Sequence, residues 1–366
     1  MKIIKRILFF ICVVLATTNL FATEAEHQTE PKEEFNPGTF IMEHIGDAHD
    51  WHIATIGETH ISIPLPVIVY SQQSGLHVFM SSKFHHGHQA FEGLRLETEG
   101  INKGKIVEEN AGIISVPLDI SITKNVVSLF ISLFLLLYIF ISVANSYKRN
   151  KDKAPKGIQS MLEPLILFLR DDVAKPSIGK HKFEKYMPYL LTVFFFIFIN
   201  NLLGLIPIFP GGANLTGNIA ITMVLALFTF VITTINANKN YWVHIVNTPG
   251  VPWWLKLPIP LMPIVEIIGV FTKPFVLMVR LFANITAGHI IGLGFISLIF
   301  IFGKMSIYGG YGISVMSIAF SVFMAMLELL VAFVQAYVFT LLSALYFGMA
   351  TEDHHHEEQV EHAEHH

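Results

Sequence analysis

The stretch Leu261 to Phe302, LMPIVEIIGVFTKPFVLMVRLFANITAGHIIGLGFISLIFIF, is 42 residues of almost unbroken apolar sequence, and its reading decides the fold. As a helix rising about 1.5 Å per residue it would be roughly 63 Å long, twice the hydrocarbon thickness of a bilayer. Ile313 to Ala350 is a second block of the same kind. Neither can stand upright in a membrane. Each is either a hairpin of two half-spans or one steeply tilted helix, with Pro263, Gly269 and Pro274 available for kinks. A hairpin apex would need a polar turn shielded from lipid, and neither block has one, which favours two tilted helices. Helices so slanted make sense against a large partner.

The composition agrees: 52% hydrophobic, 14% charged, mean hydropathy +0.55, against about 25% charged in an ordinary soluble domain. That excludes a soluble globular enzyme and predicts an all-α polytopic membrane protein. A net charge of −4 offers no field for nucleic acid. Three further apolar blocks, Val126 to Tyr147, Met187 to Ile208 and Gly217 to Asn236, bring the expected spans to five. Lys148, Arg149, Lys151, Lys153 and Lys156 after the first of them place that loop in the cytoplasm. Counting crossings then puts the loop Pro207 to Asn214 outside, Lys239 inside, a glycine-rich loop Gly309 to Gly312 outside and the C-terminus inside. Ile158 to Val173 reads as an amphipathic helix on the cytoplasmic surface.

Met1 to Ala25 has the basic start, short apolar run and small residues of a cleavable secretory signal. It would deliver an acidic head, residues 26–118, to the outer side, in independent agreement with the loop charges. Between Thr23 and Leu118 fourteen acidic residues face five basic ones. Ile61 to Val67 and Ile113 to Val116 alternate like short strands, the first confined to an edge by Pro64 and Pro66. The lone Cys12 lies in the signal, so no disulfide or thiolate chemistry is expected. The head histidines His44, His49, His52, His60, His77, His85, His86 and His88 lack ligand spacing and read as solvated surface, so no metal is assigned. The His/Glu-rich tail, residues 351–366, reads as a disordered cytoplasmic end.

Between Val251 and Ala350 the charged residues are only Lys256, Glu266, Lys273, Arg280, Lys304 and Glu328. Lys256 and Lys304 sit at block ends and can snorkel. The other four carry a cost of several kcal/mol at mid-bilayer, so each is a functional candidate. At 100° per residue Lys273, Asn284 and Glu266 all fall within about 40° of Arg280, one polar stripe, whereas His289 falls on the opposite side. On the last block Ser321, Glu328 and Gln335 are spaced by seven, again one line. Glu266 with Lys273 also reads as a structural ion pair, and Asn284 and Gln335 as helix cross-links. Arg280 has the weakest structural alternative: guanidinium stays protonated, so it can hold a fixed charge but cannot relay a proton.

These residues carry a family resemblance. Phe271 to Ile291, FTKPFVLMVRLFANITAGHII, and Leu327 to Tyr346, LELLVAFVQAYVFTLLSALY, resemble the two signature helices of subunit a of F-type ATP synthases, and Met187 to Pro207 is similar as well. The resemblance covers roughly Leu118 to Ala350 and makes 119–350 a membrane channel domain. It implies two long helices nearly in the membrane plane against a rotating ring of c subunits, with a b-subunit peripheral stalk and the remaining synthase subunits as partners. It implies that Arg280 interacts with the ring carboxylate and separates two half-channels. By the same resemblance Asn284, His289, Glu328 and Gln335 belong to the outer half-channel and Glu266 to the cytoplasmic exit; Lys273 and Ser321, which share those stripes by helical spacing alone, are supporting positions. The implied function is proton translocation in the cell inner membrane, coupled to ATP synthesis, with no cofactor. Gly100 to Ile106 lacks P-loop spacing, so no nucleotide site is expected and the chain is not an enzyme by itself. A secondary ion-coupled transporter is the alternative, and it would ordinarily show an internal repeat.

Overall fold

The computed structural model describes residues 36–56, 59–87, 89–98, 100–110, 113–149, 154–206, 209, 211–246 and 261–352. The expected signal and the His/Glu-rich tail beyond Glu352 lie outside the described residues, as does Lys256.

The described part of the head begins with helix α1 (Pro37–Ile45) and continues as short antiparallel sheets. β1 (Asp50–Ile56) pairs with β2 (Thr59–Pro64). β3 (Pro66–Ser71) lies between β4 (Gly75–Met80) and β8 (Leu118–Asp119), and β5 (Leu94–Leu96), β6 (Ile106–Asn110) and β7 (Ile113–Ser115) form the third sheet. The expected strand Ile61 to Val67 is therefore two strands broken at Leu65, whose N–H donates to the Ser81 hydroxyl oxygen at 3.0 Å. The prolines end β2 and begin β3, because neither can donate to a ladder. Val67, Val69, Phe84, Leu94 and Ile106 make a small closed core.

Among the described residues eight further helices build the membrane part. α2 (Lys124–Arg149) leads to α3 (Ile158–Phe168), a π-turn segment Leu169–Ala174 and α4 (Lys175–Ile178). The expected amphipathic helix Ile158 to Val173 thus changes winding at Leu169, and Leu162, Leu169, Val173 and Ile178 are buried in the main core rather than against lipid alone. α5 (Phe183–Leu205) follows, then α6 (Ile219–Ile235), bent by 106° into α7 (Lys239–Val246). α8 (Leu261–Met305) and α9 (Ile307–Thr351) have 45 residues each. Among the described residues four helices are long and apolar enough to cross a membrane, five if α6 and α7 count as one span.

α8 and α9 are each continuous, which removes the hairpin alternative. Only Ser306, in extended conformation (φ −162°), separates them. Gly309 to Gly312 is helical, not the expected loop. The glycines serve close approach instead: a Cβ on Gly310 would lie 2.8 Å from the Gly303 Cα. The hairpin register then runs through stacked Phe295 and Phe320 (5.2 Å between centroids) to Lys273 above the Tyr346 ring at 5.6 Å.

Two sets of helix ends face opposite ways. At one, the Thr351 carbonyl accepts from Lys182 Nζ (2.5 Å) and Asn238 Nδ2 (3.1 Å), and Ser146 donates to Gln159. At the other, the head is clasped to the membrane helices. Asp47 accepts from the Asn125 N–H (3.0 Å) and the Thr123 hydroxyl (2.8 Å), capping α2. Buried Lys124 donates from Nζ to the His44 carbonyl at 3.3 Å. Trp51 packs edge-on against Phe209 (5.2 Å), and Phe40 meets Phe300 (6.1 Å). Within the head His49 Nε2 lies 2.7 Å from Asp119. Burial alone would push the Asp119 carboxyl up, but the hydrogen bonds from His49 and Ser121 outweigh it and hold it below the usual range.

Candidate functional site

The antiparallel register of α8 and α9 sets Glu328 over Gly288 and Gly292. A Cβ on Gly288 would lie 2.9 Å from Glu328 Oε1, and one on Gly292 3.7 Å from it. Two glycines four residues apart share one helix face, so they form a groove that admits the carboxylate. Glu328 Oε1 is buried with no hydrogen-bond partner among the described residues, and so are the hydroxyls of Ser321 and Ser317. All three lie on one side of α9. Buried polar groups that lack protein partners are places for ordered water.

His289 is next to Gly288 in sequence, yet its ring turns to α5, with Nε2 3.6 Å from where a Cβ on Gly204 would stand. It lies within the electrostatic reach of Lys124. Close by in α5, Asn201 donates from Nδ2 to the Ala332 carbonyl (3.1 Å) and accepts from the Thr216 hydroxyl (2.6 Å). Asn214 accepts from the Gly217 N–H at 3.0 Å, while its Nδ2 is buried without a partner. The loop between α5 and α6 therefore carries amides inward at the head end of the bundle.

The opposite end of the bundle has a second polar region. A narrow recess is lined by Thr229, Thr233, Tyr241, Lys273, Leu277 and Tyr346, among others. The charge of Glu266 reaches Lys273 and Tyr241 through space, with no direct ion pair. Tyr189 and Thr229 hydroxyls meet at 2.7 Å behind the recess, and Thr229 reaches Ser343 at 3.3 Å.

Arg280 stands between the two regions, seven residues from Lys273 and eight from Gly288, or roughly 10–12 Å along the helix from each. Its side chain is exposed, and no carboxylate among the described residues pairs with it. Asn284 is exposed next to it. The structure thus gathers Glu328 and Ser321 into one polar seam and Glu266 and Lys273 into another, but leaves Asn284 with Arg280 rather than with His289 and Glu328. Gln335 is buried two turns along α9 from Glu328.

Sequence reasoning passed over Gly288 and Gly292, Ser317, Asn214, Tyr241 and Tyr346. The glycine pair at helical spacing was one legible signal. Ser317 shares the helical line of Ser321 and Glu328, whereas Asn214, Tyr241 and Tyr346 come from a loop and separate helices and share no sequence pattern. Among the described residues no three His, Cys, Asp or Glu side chains converge as a metal site.

A family model described as ATP synthase A chain matches residues 126–348. A domain of unknown function (DUF8433) matches residues 40–121, the head. The chain is similar to the ATP synthase subunit a of Chloroherpeton thalassium, 47% identical over 245 residues, 64% of this chain and 69% of that one. It is 50% identical over 240 residues to the ATP synthase subunit a 2 of Chlorobaculum tepidum, covering 64% of each chain. To the ATP synthase subunit a of Myxococcus xanthus it is 43% identical over 259 residues, 69% of this chain and 80% of that one.

Proposed function

The chain belongs to the ATP synthase A chain family, and on that premise we propose that it is the stator proton-channel subunit of a rotary ATP synthase. Its partners are then a ring of c subunits, the b-subunit peripheral stalk and the remaining subunits of the complex. The observation that carries this reading is Arg280: an exposed guanidinium in a membrane helix with no counterion among the described residues. A charge there costs several kcal/mol unless something outside the chain neutralises it. A carboxylate on a ring packed against α8 and α9 does so.

The basic residues Lys148, Arg149, Lys180, Lys182, Lys185 and Lys239 gather at the C-terminal set of helix ends, and this excess of positive charge supports a cytoplasmic side there with the head outside. Protons enter at the head side through water held by Ser317, Ser321 and Asn214, with Glu328 and His289 as the groups that can exchange them. A proton then neutralises a ring carboxylate, which turns away through lipid because a neutral carboxyl crosses hydrocarbon at far lower cost than a carboxylate. After nearly a full turn the carboxyl meets the recess around Lys273, Tyr241 and Tyr346 and loses its proton towards Glu266. Arg280 lies between the seams, compensates the bare carboxylate and repels a hydrated proton that would otherwise leak straight across. Asn284 and Arg280 line the surface presented to the ring. Formation of ATP takes place in partner subunits.

The test is ATP-driven proton uptake in inverted vesicles carrying Arg280→Ala in the assembled complex. Uptake is expected to vanish with assembly intact. Uptake at the wild-type level would overturn the reading.

A further inference from the structure

The sheet β4–β3–β8 buries one face and leaves the other bare. Val67, Val69 and Phe79 point into the head core. On the opposite face Tyr70 pairs with both Leu76 and Leu118, and Ile68 pairs with Val78 and receives the Ile120 N–H at 2.9 Å. Directly opposed residues of antiparallel strands point the same way, so these side chains form one array, closed by Met80 opposite Pro66. No charged residue interrupts it. Leu76 and Val78 are each 64% exposed, Leu118 61% and Ile120 60%. Apolar sheets normally alternate, with one face dry and the other polar. A contiguous apolar patch of this kind marks an interaction surface.

We propose that this face docks on the lipid bilayer, seating the head on the membrane surface from which α2 enters. Continuity with the span argues for lipid. The strand of Leu118 and Ile120 stays in the ladder to Ile122, whose N–H donates to the Pro66 carbonyl at 3.0 Å, and α2 begins two residues later. Ile120 is therefore at most about 13 Å from the first residue of the span at 3.3 Å per extended residue. The exposed apolar residues resume on α2 with Phe130, Phe134 and Leu137. The clasp of Asp47, His44 and Lys124 at the start of α2 holds the head at that level rather than on a free tether. Tyr70 supplies the amphipathic ring favoured at membrane interfaces. The absence of Lys and Arg from the array points to contact with hydrocarbon and zwitterionic headgroups, not to anionic-lipid attraction. The inference rests on the membrane placement of the chain and not on the proton path.

The experiment uses the full chain with Cys12→Ser in phosphatidylcholine nanodiscs, nitroxide-labelled at Val78→Cys, Leu118→Cys or, as a control in the hairpin turn, Gln72→Cys. Collision with oxygen, which partitions into lipid, is compared with collision with a water-soluble nickel chelate. The labels at 78 and 118 are expected to show an oxygen-to-nickel ratio several-fold above that at 72. A ratio equal to that of the turn would overturn the proposal by leaving the face in water. Exclusion of both reagents would overturn it in favour of a protein cover, such as a second copy.

Discussion

The Glu328 carboxylate rests on Gly288, where a Cβ would lie 2.9 Å from Oε1 and 3.2 Å from Cγ. An acid on one long helix is thus seated by the missing side chain of the other. Gly288→Ala is expected to leave helix packing intact and push the carboxylate about 1 Å from its seat. A displacement of that size costs on the order of a hundredfold where geometry matters. ATP-driven proton uptake in vesicles with matched subunit content measures it, and an unchanged rate would show that the seat is irrelevant to transport.

Gly310 answers to a different constraint. Its neighbour is backbone, the Gly303 Cα, so no rotamer change can make room. Gly310→Val should splay the α8–α9 hairpin at its turn, at a cost of about 1–3 kcal/mol. A lowered unfolding temperature of the purified chain is the expected result. Gly312→Ala, where nothing lies within 4 Å of a Cβ, should leave it unchanged.

Asp47 joins the head to the membrane domain by capping α2 from seventy-eight residues away. Asp47→Ala removes the acceptor for the Asn125 N–H and the Thr123 hydroxyl, at about 1 kcal/mol for a lost cap. Faster hydrogen exchange at the start of α2, with the core of α5 unaffected, is the expected outcome.

The Asp119 carboxyl, held low by His49 and Ser121 in spite of burial, ties head stability to acidity. A group whose folded value is depressed contributes stability that is present above its unfolded value, near 3.9, and is lost as pH falls through the folded one. Protease resistance of the head should therefore drop below about pH 4. In Asp119→Asn this part of the acid dependence should be absent, with lower resistance already at pH 6.

The period of 3.6 residues made Ser321 and Glu328 legible as one line, because a helix repeats its faces within a single segment. It also made legible that Asn284 and Arg280 share a side and that His289 does not. Residues from different segments were harder. Tyr241, Lys273 and Tyr346 meet across three helices, and nothing in any one segment marks them. Glycines misled at Gly309 to Gly312, where they read as a loop, since the same missing side chain that frees a backbone also lets two helices touch.

By itself the sequence determined an α-helical membrane protein of the subunit a family preceded by an acidic segment, because apolar run length, charge placement and signature motifs are properties of the linear chain. Tertiary structure alone decided that α8 and α9 run unbroken to a single hinge at Ser306, that Gly288 seats Glu328, and that Asp47 and Trp51 fasten the head to the helix ends. Each of these depends on contacts between groups far apart in the chain, whose energies are set by the shape of the partner surface and not by local propensity.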